Sequence, residues 1–160
     1  MIDGLADLVV VAVPSAAVDA VARTIAASWY GGPVLTATKG IDPDTLRTSS
    51  ERLADALPTL PIIALSGPNL AGEIAAGHPA AAVVAGDESE AVGLARTALM
   101  SGSYRIYTST DIMGVEIAGA LKNVIAIGAG IADGLHAGQN AKAAYMTRGI
   151  AEMARLGVAM

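Results

Sequence analysis

Short apolar runs alternate with amphipathic segments as far as residue 109, and beyond it the pattern is wholly helical. Leu8 to Val13 (LVVVAV) is a continuous β-branched run of strand length, suited to a central parallel strand buried on both faces. Pro14 and Ser15 then turn the chain into a helix from Ala16 to about Ser28. Val18, Val21, Ala22 and Ile25 share one side of it, and Ser15 is placed as its N-cap. Gly31-Gly32-Pro33 ends that helix, and Val34 to Thr38 forms a second strand closing on Lys39-Gly40. Asp42-Pro43 opens a helix predicted to run through Leu57, where Pro58 and Pro61 stop it. Ile62 to Leu65 is a third strand ending at Ser66-Gly67-Pro68-Asn69, with a short helix from Leu70 to Ala76 after it. Ala80 to Ala85 is a fourth strand, Glu88 to Met100 a helix, and Tyr104 to Tyr107 a fifth strand. Two long helices follow, about Ile112 to Ala132 and Asn140 to Leu156.

Strand-helix alternation of this kind predicts an open, mostly parallel α/β sheet. The change near Ser109 sets the expected division: residues 1–109 as sheet and flanking helices, residues 110–160 as the start of an all-α domain. The first strand lies only a few residues from Met1. A central strand with nothing before it to cover its neighbours leads to the expectation that a natural start is missing.

Composition narrows the function classes. Hydrophobic residues make up 53% and charged residues 16%, which excludes a disordered chain. A net charge of -5 with no Lys/Arg cluster argues against a nucleic-acid partner. Cysteine is absent, so disulfides, thiolate metal sites and cysteine nucleophiles are all excluded. With only His78 and His136, far apart in sequence, no metal site is predicted. The opening MIDGLADLVVVAVPS carries acidic residues where a secretory leader is basic. The uncharged run from Ala56 to Gly72 is broken by Pro58, Pro61 and Pro68 and cannot be a membrane helix. A soluble, cytoplasmic protein with no membrane partner is the expectation.

Ligands of open α/β sheets bind beyond the carboxyl ends of the strands. Three such ends carry suggestive residues: Val13-Pro14-Ser15, Thr38-Lys39-Gly40 and Ser66-Gly67-Pro68-Asn69. Lys39 offers a cation to a phosphate or carboxylate, and Gly67 and Asn69 offer backbone and amide donors just before a helix. The run from Ile112 to Asp133 places one cation, Lys122, among apolar and small residues, with Val115, Ala118, Ile125 and Ala129 along the same helical face. Two readings stay open for it. Burial would lower its pKa toward the range useful for proton transfer, whereas a snorkelling Lys at the helix surface would be a plain solvated cation. Gly128-Ala129-Gly130 with Gly134 imitates a dinucleotide fingerprint, but it lies in a helical pattern with GxGxxxG spacing. It reads as close helix packing ending in a turn. A true GxGxxG after a first strand is absent.

At these motifs the sequence resembles the bacterial NAD(P)-dependent glycerol-3-phosphate dehydrogenases. The matching segments are ATKGI (Ala37 to Ile41), LSGPNLAGEIA (Leu65 to Ala75), YRIYTSTDIMGVEIAGALKNVIAIGAGIADGL (Tyr104 to Leu135) and NAKAAYMTRGIAEMARLGVAM (Asn140 to Met160). The resemblance implies an N-terminal Rossmann domain, an all-helical C-terminal domain, and the interconversion of sn-glycerol 3-phosphate and dihydroxyacetone phosphate with NAD or NADP, feeding glycerophospholipid synthesis. It also implies roles. Lys122 would be the catalytic proton acceptor or donor, with Lys39, Gly67, Asn69 and Asn123 binding substrate beside it. Pro14, Lys39 and Ala71 would face the cofactor. A homodimer is left open.

Two departures from the family pattern bear on what the chain can do. The opening GxGxxG unit has no counterpart, as though the chain begins near the fourth Rossmann strand. The sequence also stops at Met160, before the helices that supply an Asp and an Arg-Asn pair to the substrate phosphate in the family. One alternative is therefore a catalytically inert fragment that associates through an exposed sheet edge. Another is a related hydroxyacid dehydrogenase, against which the adjacent Lys122-Asn123 and the SGPN turn speak.

Overall fold

A computed structural model describes residues 6–29 and 31–159. The reading of the opening residues, Met1 to Leu5, lies outside them. The strands are β1 (Val9–Val11), β2 (Val34–Thr36), β3 (Ile62–Ser66), β4 (Ala80–Ala85) and β5 (Tyr104–Ser109), and the helices α1 (Val18–Ser28), α2 (Ser49–Ala56), α3 (Ala71–Ala75), α4 (Ser89–Leu99), α5 (Ile112–Gly134) and α6 (Gln139–Ala159). They build a five-stranded sheet in chain order, parallel except between β3 and β4. The reversal has one consequence for function. The carboxyl ends of β1, β2 and β3 share an edge of the sheet with the amino ends of β4 and β5.

Period-two alternation sends the strand residues to two cores. On one face Leu35, Ile63, Leu65, Ala82, Val84 and Ile106 meet Ala91, Val92 and Ala95 of α4. On the other, Val11 and Val34 meet Val18, Ala22 and Ile25 of α1, Trp29, and Leu53 and Leu57. The mostly parallel sheet stands as predicted. Its first strand does not occupy the predicted central place: among the described residues β1 pairs only with β2, and Val10 is 48% exposed.

The helix predicted from Asp42 starts later, at Ser49. Asp42 does not cap it. Its carboxylate instead accepts from the backbone N–H groups of Asp44 and Thr45 and from the Thr45 hydroxyl, holding a tight turn. Thr48 then forms a capping box with Glu51, each side chain taking the other's backbone N–H.

α5 is long and apolar enough to cross a membrane by length and composition, with a mean hydropathy of 1.5 over its most apolar stretch. In the fold its first half lies on β3, where Glu116, Ile117 and Gly119 are buried. Its second half pairs with α6. A side chain at Gly128 would collide with the Tyr145 hydroxyl, and one at Gly149 with Ile125, so the close helix packing expected of the glycine-rich stretch is found at Gly128, whereas Gly130 and Gly134 face open space.

Candidate active site

The strand ends are locked to one another by buried polar groups. The Thr38 hydroxyl donates to the Val13 carbonyl at 2.9 Å and accepts from the Val13 N–H at 3.3 Å, tying the residue before Lys39 to the residue before Pro14. Arg52, buried on α2, reaches the Ser15 carbonyl at 3.1 Å and pairs with Asp19 at 2.9 Å, which fixes the turn after Pro14. Asp19 and Arg52 stabilise each other's charged forms through this hydrogen bond, lowering the carboxyl and raising the guanidinium.

At the end of β3, Gly67 lies flat against β4. A Cβ there would sit 2.7 Å from the Ala81 carbonyl oxygen and 2.9 Å from Ala82 Cα, so only glycine permits the approach. Asn69 follows, its N–H bound to the Gly67 carbonyl at 2.9 Å. Its side chain lies beside Tyr104, whose hydroxyl is raised above the usual tyrosine range by burial and drawn partly back by a hydrogen bond from Asn69. An amide N–H facing the phenol oxygen has that effect, and the Asn69 Oδ1 is left buried without a hydrogen-bond partner.

α5 crosses this end of the sheet at Gly119. A Cβ there would overlap the Ser66 hydroxyl and lie 3.3 Å from Ser66 Cβ and 3.8 Å from Lys39 Cγ. Close approach at Gly119 carries Lys122, one helical turn further on, into the neighbourhood of Lys39. The Lys39 ammonium is held below the usual lysine range, first by burial and then by the positive charge of Lys122. Two cations at the edge of a parallel sheet, one partly desolvated, form a place for an anion.

The depression of the Lys39 pKa has a stability consequence. The unfolded chain binds a proton at Lys39 that the folded chain holds less tightly, so stability rises with pH up to the ordinary lysine pKa. We expect the protein to gain stability relative to its Lys39→Gln variant as pH rises from 8.5 to 10.5, followed by urea midpoints at each pH. A difference that stays flat over that window would contradict the assignment.

The structure gathers Lys39, Gly67, Asn69 and Lys122 at one end of the sheet, with Pro14 exposed at the neighbouring turn. Ala71 is exposed at the start of α3. Lys122 is half-buried, neither in the core nor free, and donates from Nζ to the Asn123 amide oxygen at 2.9 Å. The buried stretch of α5 runs through Glu116, Ile117 and Gly119, whereas Ala118 is exposed. The apolar face read around Lys122 is therefore not the one that packs on the sheet. Sequence reasoning named Thr38 and Ser66 only as parts of their strand ends, and it passed over Tyr104 and Glu116. Of these, only Glu116 carried a signal, as the one acid in an otherwise apolar helix start. A depression of about 390 Å³ lined by Ser50, Pro61, Asp87, Glu88 and Met113 lies at the opposite end of the sheet, away from both lysines.

Two family profiles match this chain: "NAD-dependent glycerol-3-phosphate dehydrogenase N-terminus" over residues 4–92 and the C-terminus profile of the same description over residues 111–160. The chain belongs to the NAD-dependent glycerol-3-phosphate dehydrogenase family. A glycerol-3-phosphate dehydrogenase [NAD(P)+] of Gloeobacter violaceus is 53% identical over 124 residues, 78% of this chain and 41% of the relative. A glycerol-3-phosphate dehydrogenase [NAD(P)+] 2 of Sphingopyxis alaskensis is 45% identical over 158 residues, 97% of this chain and 47% of the relative. The crystal structure of the Coxiella burnetii glycerol-3-phosphate dehydrogenase superposes with a TM-score of 0.84 at 36% identity, covering 94% of this chain and 46% of that one. This family member thus spans less than half the length of these relatives.

Proposed function

We propose that this chain contributes to an oxidoreductase that interconverts sn-glycerol 3-phosphate and dihydroxyacetone phosphate with NAD or NADP. The observation that carries the reading is the convergence of Lys39 and Lys122 at the carboxyl ends of β2 and β3, made possible by Gly119. Family membership supports it, and so do the names of the relatives. The residues fit the nicotinamide end of a dinucleotide. Pro14 and Ala71 lie exposed near the strand ends, and the Asn69 Oδ1 is buried without a donor. When bound, the nicotinamide supplies or accepts the hydride.

The chain's own residues hold the substrate and move the proton. Lys39 offers its ammonium to the substrate's negative charge and to the cofactor side of the cleft. Gly67 and Asn69 line the opposite wall. Lys122 gives a proton from Nζ to the carbonyl oxygen as the ketone becomes a secondary alcohol, and takes it back in the reverse direction. Asn123, bonded to the Lys122 Nζ, keeps that ammonium oriented. On the same reading the protein is cytoplasmic, feeds glycerophospholipid synthesis, and divides into sheet and helical domains between residues 109 and 110.

Steady-state kinetics on the protein as its gene encodes it tests the proposal. NADH or NADPH absorbance is expected to fall on addition of dihydroxyacetone phosphate and to stay level with unphosphorylated dihydroxyacetone. No turnover with either nicotinamide, or equal turnover with both ketones, would overturn it.

A further inference from the structure

Glu116 is 7% exposed and lies on α5 at the level of β3, among the residues that pack on the sheet. Among the described residues no cation pairs with its carboxylate. Oε1 accepts from the Ser50 backbone N–H at 3.0 Å, and Oε2 accepts from the Ser50 hydroxyl. Ser50 is in the first turn of α2, where backbone N–H groups have no partner inside the helix and the helix dipole favours a negative charge. Thr48 and Glu51 take each other's backbone N–H in that turn, and Glu116 adds a partner for the Ser50 N–H from a different part of the chain.

That contact leads directly to the lysines. Thr48 bridges to Ile41, two residues beyond Lys39. On the α5 side, Gly119 stands one turn after Glu116 and rests on Ser66 and the Lys39 stem, and Lys122 stands one turn after Gly119. Glu116 and Gly119 are therefore two points of attachment that fix the depth and rotation of α5 on the sheet. Gly119 only permits approach, whereas Glu116 supplies directional bonds that select one helix position.

We propose that Glu116 is a positioning residue, whose carboxylate on the first turn of α2 holds α5 so that Lys122 stands opposite Lys39. The proposal rests on reading Lys122 as the proton-transfer group. Its test has a second readout that does not depend on turnover: the titration of the Lys39 Nζ, followed by NMR of specifically labelled lysine. Burial depresses the Lys39 ammonium first and the charge of Lys122 second, and α5 packed beside Lys39 brings that charge close, so the Lys39 pKa reports whether the helix and its lysine keep their place.

Glu116→Ala is expected to lower kcat on the order of 10²-fold, as a small misplacement of a reacting group can, while KM for NADH stays within about threefold. The Lys39 titration should move up toward the ordinary lysine value. Glu116→Gln can accept from the Ser50 N–H and donate to its hydroxyl, and should restore both readouts most of the way. Ser50→Ala removes one bond and leaves the carboxylate and helix in place. It should cause a smaller loss of the same kind, and combined with Glu116→Ala it should add nothing. That milder variant carries the test if Glu116→Ala does not fold. Unchanged kcat and Lys39 titration in Glu116→Ala, or additive losses in the double variant, would overturn the proposal. A parent protein that reduces no dihydroxyacetone phosphate would sink the proton-transfer reading instead, and the Lys39 titration would still decide the role of Glu116.

Discussion

Lys122→Ala is expected to lower kcat for dihydroxyacetone phosphate reduction about 10³-fold, within the range contributed by a positioned general acid. The loss should not come from unfolding. Lys122 is half-buried, and its hydrogen bond to Asn123 is exposed, so losing that bond leaves no buried group unpaired. KM for NADH should change little, because the reading gives Lys122 no contact with the cofactor. The charge removed from Lys122 is also one of the two causes that hold the Lys39 ammonium down, so the Lys39 titration should rise in the same variant. Stopped-flow absorbance at 340 nm and a thermal melt on one preparation separate chemistry from folding. Turnover within tenfold of the parent would remove Lys122 from the proton-transfer role.

Gly67→Ala is expected to be the most destabilising single methyl addition near the site, at about 1–3 kcal/mol. The atoms that the new Cβ would meet, the Ala81 carbonyl oxygen at 2.7 Å and Ala82 Cα at 2.9 Å, are backbone atoms in or beside a paired strand and cannot rotate aside. The end of β3 must lift from β4, carrying Asn69 away from Tyr104. KM for dihydroxyacetone phosphate should rise together with the fall in the urea midpoint. An unchanged midpoint would mean that the strand ends are less closely packed than the geometry requires.

The strands were legible because burial writes itself into short stretches. LVVVAV, VLTAT, IIAL and AAAVVA can be little other than strands between helices, and with YRIY they make up the five strands of the sheet. The antiparallel junction of β3 and β4 was not visible, since a single short connection through α3 permits either direction. The late start of α2 was misread for a local reason. Asp42 and Thr48 are both good caps, and only the Glu three residues after Thr48 distinguishes them.

At the site, Lys39, Gly67 and Asn69 stood out because strand ends of an α/β sheet are where ligands bind. The meeting of Lys39 with Lys122 was not derivable from spacing. It depends on how deeply α5 settles on the sheet, and that depth is set by Gly119 against Ser66 and by Glu116 against Ser50, which are contacts between distant parts of the chain. The same packing explains the error about the apolar face of α5. The residues around Lys122 look like a core stripe, but the helix turns Glu116, Ile117 and Gly119 inward.

The decisive measurement is a structure of the protein with bound dihydroxyacetone phosphate. The ketone oxygen is expected within hydrogen-bond reach of the Lys122 Nζ, with the ligand beside the Lys39 ammonium and Gly67 and Asn69 forming the wall of the site. A ligand seated elsewhere, for example in the depression near Ser50 and Glu88, with Lys39 and Lys122 untouched, would contradict it.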